Sequence, residues 1–365
     1  VHFRYDPEHD DLRASVRGLL ADVASDADLR RDIDGDAGWS VAAWRRLCDE
    51  LEIAGLAVPE ELGGSGFGLV ELGIVVEEAG RSLLTAPLLA SAAATQAVLV
   101  AGGRAELTGG LASGERIGTL ALREPGTTSS ARLRTLAERD GSGWVLTGTK
   151  DWVLHGAAAD VVVCSAQSPA GPSLFAVETG APGVVTEAVE TVDPTRRVST
   201  LGLAGAPATL LGTEGAAPVD EITDRFTVLV AAELVGIAGR CLDDATRYAG
   251  ERTQFGRPIG SFQALKHKLA SVLMEVEAAR AAALYAAYTA DRRPAELATV
   301  ATIAGVVCGS AALLAAGENV QVHGGIGMTW EHSAHLLLKR ATVDRALVID
   351  AGRDLERIAE LTGIG

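Results

Sequence analysis

The sequence predicts a multidomain α+β chain in three parts: a helical N-terminal domain over residues 1–115, a β domain over 116–222 and a helical bundle over 223–365. Three observations carry this. Between Pro7 and Gly103 apolar residues recur at helical spacing, as in Leu12, Val16, Leu19, Leu20 and Val23. From about Arg116 to Glu221 the pattern changes to short apolar runs separated by Gly, Pro, Asp and Thr. After Thr223 the helical signature returns: Leu265, Leu269, Val272, Val276, Ala279 and Ala283 alternate in steps of four and three, the stripe of a helix packed in a bundle.

Within the first part, the loop PEELGGSGFGL (Pro59 to Leu69) interrupts the helices, its glycines supplying the backbone freedom of a chain reversal. In the second, RLRTLA and WVLTG flank a DGSG turn and read as a hairpin, and DVVVCSA, SLFAVE and GVVTEAVE follow at strand-like intervals. A small barrel or sandwich is the expected result. In the third, Pro294 breaks the chain between long helices.

Composition bounds the function. Of 365 residues, 48% are hydrophobic and 22% charged, as in soluble globular chains, which excludes a disordered or disulfide-stapled protein. Asp and Glu total 48 against 32 Lys and Arg, and the net charge of −16 opposes non-specific binding to nucleic acid or anionic membranes. Cys48, Cys164, Cys241 and Cys308 form no CxxC pair, which argues against zinc ribbons and for a reduced, cytoplasmic location. The longest apolar stretch, Ala301 to Ala316, carries Gly and Ser and precedes Glu318, and the acidic N-terminus has no apolar core. Neither a signal peptide nor a membrane span is expected.

Two segments carry chemistry. YAGERTQFGRPIGSFQALKHKLA (Tyr248 to Ala270) sets Arg252, Phe255 and Arg257 around a turn and Gln263 at the start of a long helix. An Arg fork grips a pyrophosphate, an aromatic ring lies against a base or flavin, and Gln satisfies polar neighbours, so a dinucleotide uses all three. The same residues also suit a helical corner with solvated arginines. In QVHGGIGMTWEHSAHLLLKR (Gln321 to Arg340), Gly324 and Gly325 allow close approach of a ligand to the backbone. No strand leads into this GGIG, so it is not a Rossmann turn. His332 and His335 lie three apart without a third ligand, and read as capping or core residues.

In combination, RTQFGRPIG with its following Gln, QVHGGIGMT, VPEELGGSGFG, the central EPG (Glu124 to Gly126) and TGTKDWVLHGA (Thr147 to Ala157) resemble the acyl-CoA dehydrogenase family over essentially the whole chain. The resemblance implies a central β-barrel, a C-terminal four-helix bundle, and FAD between them whose adenosine pyrophosphate reaches a neighbouring subunit. Arg252, Phe255 and Gln263, joined by Gln321, Gly324 and Gly325, would then touch the FAD held mainly by a partner chain. Trp152 would lie beside the isoalloxazine, or serve as a buried barrel tryptophan. Leu154 and Arg123 stand where many members have Thr.

The family reaction takes an α-proton by a carboxylate while the β-hydrogen leaves as hydride, so a base is indispensable. One branch places a Glu after the GG helix; counting from Gly324 reaches Val348, with Asp350 two residues beyond. Another branch places it before the RxxFG segment; counting back from Arg252 reaches Phe226, with Asp224 two residues off. Asp350 is the candidate base, its alternative role being the cap of the last helix. Glu233, inside the preceding helix, reads as a packing residue.

What the resemblance implies is an FAD-dependent dehydrogenase converting an acyl-CoA to the trans-2-enoyl-CoA and passing electrons to an electron-transferring flavoprotein, as a homotetramer or a heterotetramer with a related subunit. The alternative is a silent subunit that completes an FAD site and lacks its own base. An oxygen-using oxidase is disfavoured, because such enzymes usually carry a further C-terminal domain.

Overall fold

A computed structural model of the chain describes residues 4–126, 133–348 and 351–364, the last stretch with side chains from 354 onward. Chain order runs α1 (Pro7–Val23), α2 (Asp26–Asp34), α3 (Val41–Leu51), α4 (Leu69–Ser82), α5 (Leu88–Val100) and α6 (Ala105–Ala112). The strands follow: β1 (Gly118–Ala121), β2 (Leu136–Asp140), β3 (Gly143–Leu154), β4 (Val161–Ser168), β5 (Gly171–Glu178), β6 (Val184–Val189) and β7 (Val198–Leu211). Then come α7 (Val219–Glu251), the short pair β8 (Thr253–Gln254) and β9 (Arg257–Pro258), and α8 (Gln263–Arg292), α9 (Leu297–His323), α10 (Ala334–Val348) and α11 (Ala351–Thr362). Helices, strands and helices thus succeed one another as the periodicities predict.

Contacts divide the chain into two units. The barrel unit holds Asp32–Gly68 and Thr85–Phe226. Its sheet runs β4-β2-β3-β7-β5 and returns to β4, closing a ring, with β1 added in parallel to β4 and β6 to β7. Closure leaves no edge in the ring to recruit foreign strands. The predicted hairpin is β2–β3, with Asp140 opposite Gly143 and Gly141 at φ 58° in the turn. Leu146, Val153, Val162, Cys164, Phe175 and Leu201 fill the interior, where Trp144 meets Phe175 edge-on at 5.4 Å. Outside, Ala94, Ala97, Val98, Leu107 and Leu111 of α5 and α6 pack on Val161, Val163 and Leu174.

The bundle unit holds the residues up to Arg31, Leu69–Leu84 and Thr227 to the C-terminus. Helices α4 and α7 cross in direct backbone contact: a Cβ at Gly236 would stand 1.8 Å from the Glu77 carbonyl oxygen, and one at Gly80 2.4 Å from that of Glu233. No side chain fits at either position. Arg13 ties α1 to α4 through Glu77 at 2.9 Å and Glu78 at 2.8 Å. The helices of the first 115 residues are therefore shared, with α1 and α4 in the bundle unit and α3, α5 and α6 in the barrel unit. The stretch Pro294–Met328, containing α9, is long and apolar enough to cross a membrane by length and composition. Its apolarity has a packing cause, since Ala301, Ala304, Cys308, Ala311, Ala312 and Ala315 are buried in the bundle.

Candidate active site

The RTQFGRPIG segment leaves α7 and folds into a two-residue hairpin, with Gln254 opposite Arg257. Phe255 and Gly256 are its central residues, both left-handed at φ 52° and 76°, the signature of a type I′ turn. Glycine adopts that conformation freely; a phenylalanine does so at a cost of roughly 1–2 kcal/mol. The strained ring is not buried in return, being 92% exposed. The chain then doubles back on α7: Ile259 N–H donates to the Arg252 carbonyl at 2.8 Å, and a Cβ at Gly260 would lie 2.9 Å from the Ala249 carbonyl oxygen.

A small apolar cluster brings the second segment to the same place. Ala245 and Ala249 of α7, Val322 of α9, and the partly buried Tyr248, Ile259, Leu265 and Leu269 pack together. Gln321 is therefore carried to the bundle end that bears Arg252 and Gln263. Gly324 ends α9 at φ 64°, ψ −138°, outside the range of residues with a Cβ, and a Cβ at Gly324 or Gly325 would meet nothing within 4 Å. Arg252, Phe255, Gln263, Gln321, Gly324 and Gly325 are all exposed. Arg257 lies over the Phe262 ring at 4.2 Å, whereas among the described residues the side chains of Arg252, Gln263 and Gln321 make no hydrogen bond, ion pair or ring contact. An open glycine turn, a ring and three uncommitted polar side chains at one end of a bundle fit the diphosphate and adenosine of a dinucleotide.

The other predicted cofactor residue, Trp152, belongs to the barrel unit. It is half-buried on β3 at φ 56°, and the Arg123 guanidinium lies 5.4 Å over its ring. Leu154, two residues on, is buried, and its carbonyl accepts the Thr119 hydroxyl at 2.5 Å. Beneath them Lys150, fully buried, donates to Glu124 at 2.8 Å. Burial alone would raise the Glu124 carboxyl, but hydrogen bonds from Lys150 and from the Thr135 and Arg134 N–H groups override it and hold it at about 2. The two motifs that hold this pair, EPG and TGTKDWVLHGA, are separate in the sequence, and their ion pair is not evident from either alone. Its signal was strand parity, since Lys150 falls on the inward series with Trp144, Leu146 and Gly148.

Of the candidate carboxylates, Asp350 lies outside the described residues; Val348, at the counted position, closes α10. Asp224 is buried near the start of α7. Glu233, read from the sequence as a packing residue, is buried and accepts from Arg340, also buried, at 2.9 Å, an ion pair that the sequence reading did not name. His332 Nδ1 accepts the Ala334 N–H at 3.1 Å and so caps α10, while burial holds His332 and His335 below the usual imidazole range.

Comparison with known proteins identifies the family. Family models for the acyl-CoA dehydrogenase N-terminal, middle and C-terminal domains match residues 6–109, 119–204 and 215–348. The chain belongs to the acyl-CoA dehydrogenase family. Among curated relatives it is 36% identical to the acyl-CoA dehydrogenase IpdE2 of Mycobacterium tuberculosis, over 96% of this chain and 95% of that one. Among solved structures it is similar to a variant of the Tcur3481-Tcur3483 steroid ACAD, with TM-score 0.91 and 31% identity over 98% of each chain. It is also similar to the ChsE4-ChsE5 complex of Mycobacterium tuberculosis, with TM-score 0.90 and 30% identity over 100% of this chain and 99% of that one.

Proposed function

We propose that the chain is a subunit of an FAD-dependent enzyme that oxidises an acyl-CoA thioester to the trans-2-enoyl-CoA, with an electron-transferring flavoprotein as electron acceptor. The observation that carries this is the bundle end where Arg252, Phe255, Gln263, Gln321, Gly324 and Gly325 stand exposed together. There the Arg252 fork would take the diphosphate, the two glutamines the polar rim of the nucleotide, and Phe255 an aromatic face. The cluster is exposed, which is compatible with the FAD shared with a neighbouring subunit that the family resemblance implies, in a homotetramer or a heterotetramer. When bound, FAD would supply the acceptor for the substrate's β-hydrogen and its electron pair. The chain's own share is a carboxylate that takes the α-proton, leaving the new double bond between the α and β carbons. Asp350 is the residue assigned to that proton.

A second reading has its own support. Val348 rather than Glu occupies the counted base position, and Arg123 and Leu154 replace two threonines, with Arg123 lying over Trp152. On this reading the chain completes an FAD site for a related subunit that carries the base. Two similar structures bear the names of two proteins each. Anaerobic titration of the purified chain, alone and co-expressed with a related subunit, against short, branched and steroid side-chain acyl-CoAs separates the readings. Bleaching of the flavin band by the chain alone supports the first, and bleaching only in the mixed complex the second. No bleaching in either, with flavin bound, overturns both.

A further inference from the structure

The barrel contains a device that neither reading uses. Strand β3 pairs with β7 as far as Lys150 opposite Leu201, and resumes at Val153 opposite Ser199. Between those pairs Asp151 and Trp152 face the single residue Thr200, a β-bulge. Trp152 takes the left-handed conformation inside it, at φ 56°. An aromatic residue held there stores roughly 1–3 kcal/mol and persists only where its surroundings over-determine it.

The surroundings do so at two consecutive residues. The Asp151 N–H donates to the Arg123 carbonyl at 2.9 Å, and next to it Lys150 and Glu124 form their buried ion pair. The Asp151 carboxylate then folds over the bulge, accepting the Trp152 N–H at 2.9 Å and the Thr200 hydroxyl at 3.5 Å. Glu124 also accepts the N–H groups of Arg134 and Thr135, at 2.7 and 3.0 Å, so a third segment is drawn into the same frame. Stability alone is a weak reason for this arrangement, since apolar residues commonly replace a buried ion pair at little or no cost. What the pair does is register the loop after β1 against the bulge, and the two side chains displayed at that junction are Arg123 and Trp152.

We propose that Lys150, Glu124 and Asp151 are positioning residues, which hold the bulge so that Trp152, with Arg123 over its ring, presents one preset face to the flavin. This rests on the reading of Trp152 as a flavin neighbour.

The test uses the flavin-loaded protein as isolated, with any co-purifying subunit. Trp152 is one of five tryptophans, so subtracting the near-ultraviolet dichroism of Trp152→Phe isolates its signal. The double variant Lys150→Met with Glu124→Gln avoids a buried lone charge, and Asp151→Ala removes the carboxylate without touching the ion pair. Both are expected to lose at least half of the Trp152 signal at unchanged far-ultraviolet dichroism and native mass. Both are also expected to alter the visible dichroism of the flavin and to lower its rate of reduction about tenfold to a hundredfold, the scale of an ångström of misplacement. Asp151→Asn, which keeps an oxygen acceptor, is expected to recover most of the Trp152 signal. If folded Asp151→Ala and the double variant both keep the wild-type Trp152 and flavin signals, the proposal is wrong. If Trp152→Phe itself leaves the flavin dichroism and reduction rate unchanged, the flavin-neighbour reading fails instead, and the Trp152 signal in Asp151→Ala still decides whether the frame positions the ring.

Discussion

Asp350→Asn is expected to keep FAD content, native mass and acyl-CoA binding while slowing bleaching of the flavin by substrate about 10²–10⁴-fold, the usual contribution of a general base. The substitution is chosen for what it separates. Helix α11 begins at Ala351, one residue on, and Asn caps a helix as well as Asp does, so loss of the cap cannot account for a lost rate. An amide, however, takes no α-proton. Asp is also one methylene shorter than Glu, so activity requires the backbone after Ala346 to run closer to the flavin than in relatives that carry Glu. If flavin reduction in the assembled enzyme is the same in Asp350→Asn as in wild type, Asp350 is a cap and the base belongs to another polypeptide.

Arg252→Ala is expected to weaken FAD binding about tenfold to several hundredfold, because two charge-assisted hydrogen bonds to a diphosphate are lost together. Folding stability is expected to change little, since this exposed side chain has no partner among the described residues. Phe255→Gly sharpens the contrast. Glycine relieves the left-handed strain at φ 52°, so the melting temperature of the FAD-free protein is expected to hold or rise while FAD retention falls. Full flavin retention by Arg252→Ala through gel filtration would remove this surface from cofactor binding.

Much of the fold was legible because it is written in short-range patterns. The helical stripe through Val272, Val276, Ala279 and Ala283 appears as the buried face of α8, and the DGSG turn as the β2–β3 hairpin. The sharing of the N-terminal helices between two units was not legible. It depends on backbone crossings at Gly80 and Gly236 and on α5 packing against β4, contacts between residues far apart in sequence. At the candidate site, the motifs that carry the family resemblance single out Arg252, Phe255, Gln263 and Gln321, and the apolar cluster around Ala249 and Val322 supplies a juxtaposition of the two segments that the sequence alone lacks. Two features stayed hidden for physical reasons. The left-handed conformation of Phe255 contradicts its residue type, and the Lys150–Glu124 pair joins two motifs that each look complete without the other.

If the exposed end of the bundle holds FAD across a subunit boundary, native mass measurement of the flavin-loaded protein reports it. FAD is expected only in assemblies of two or more chains, identical or related, and dilution or mild denaturant that yields folded single chains is expected to release the flavin in the same step. A stable single chain that carries stoichiometric FAD would contradict it.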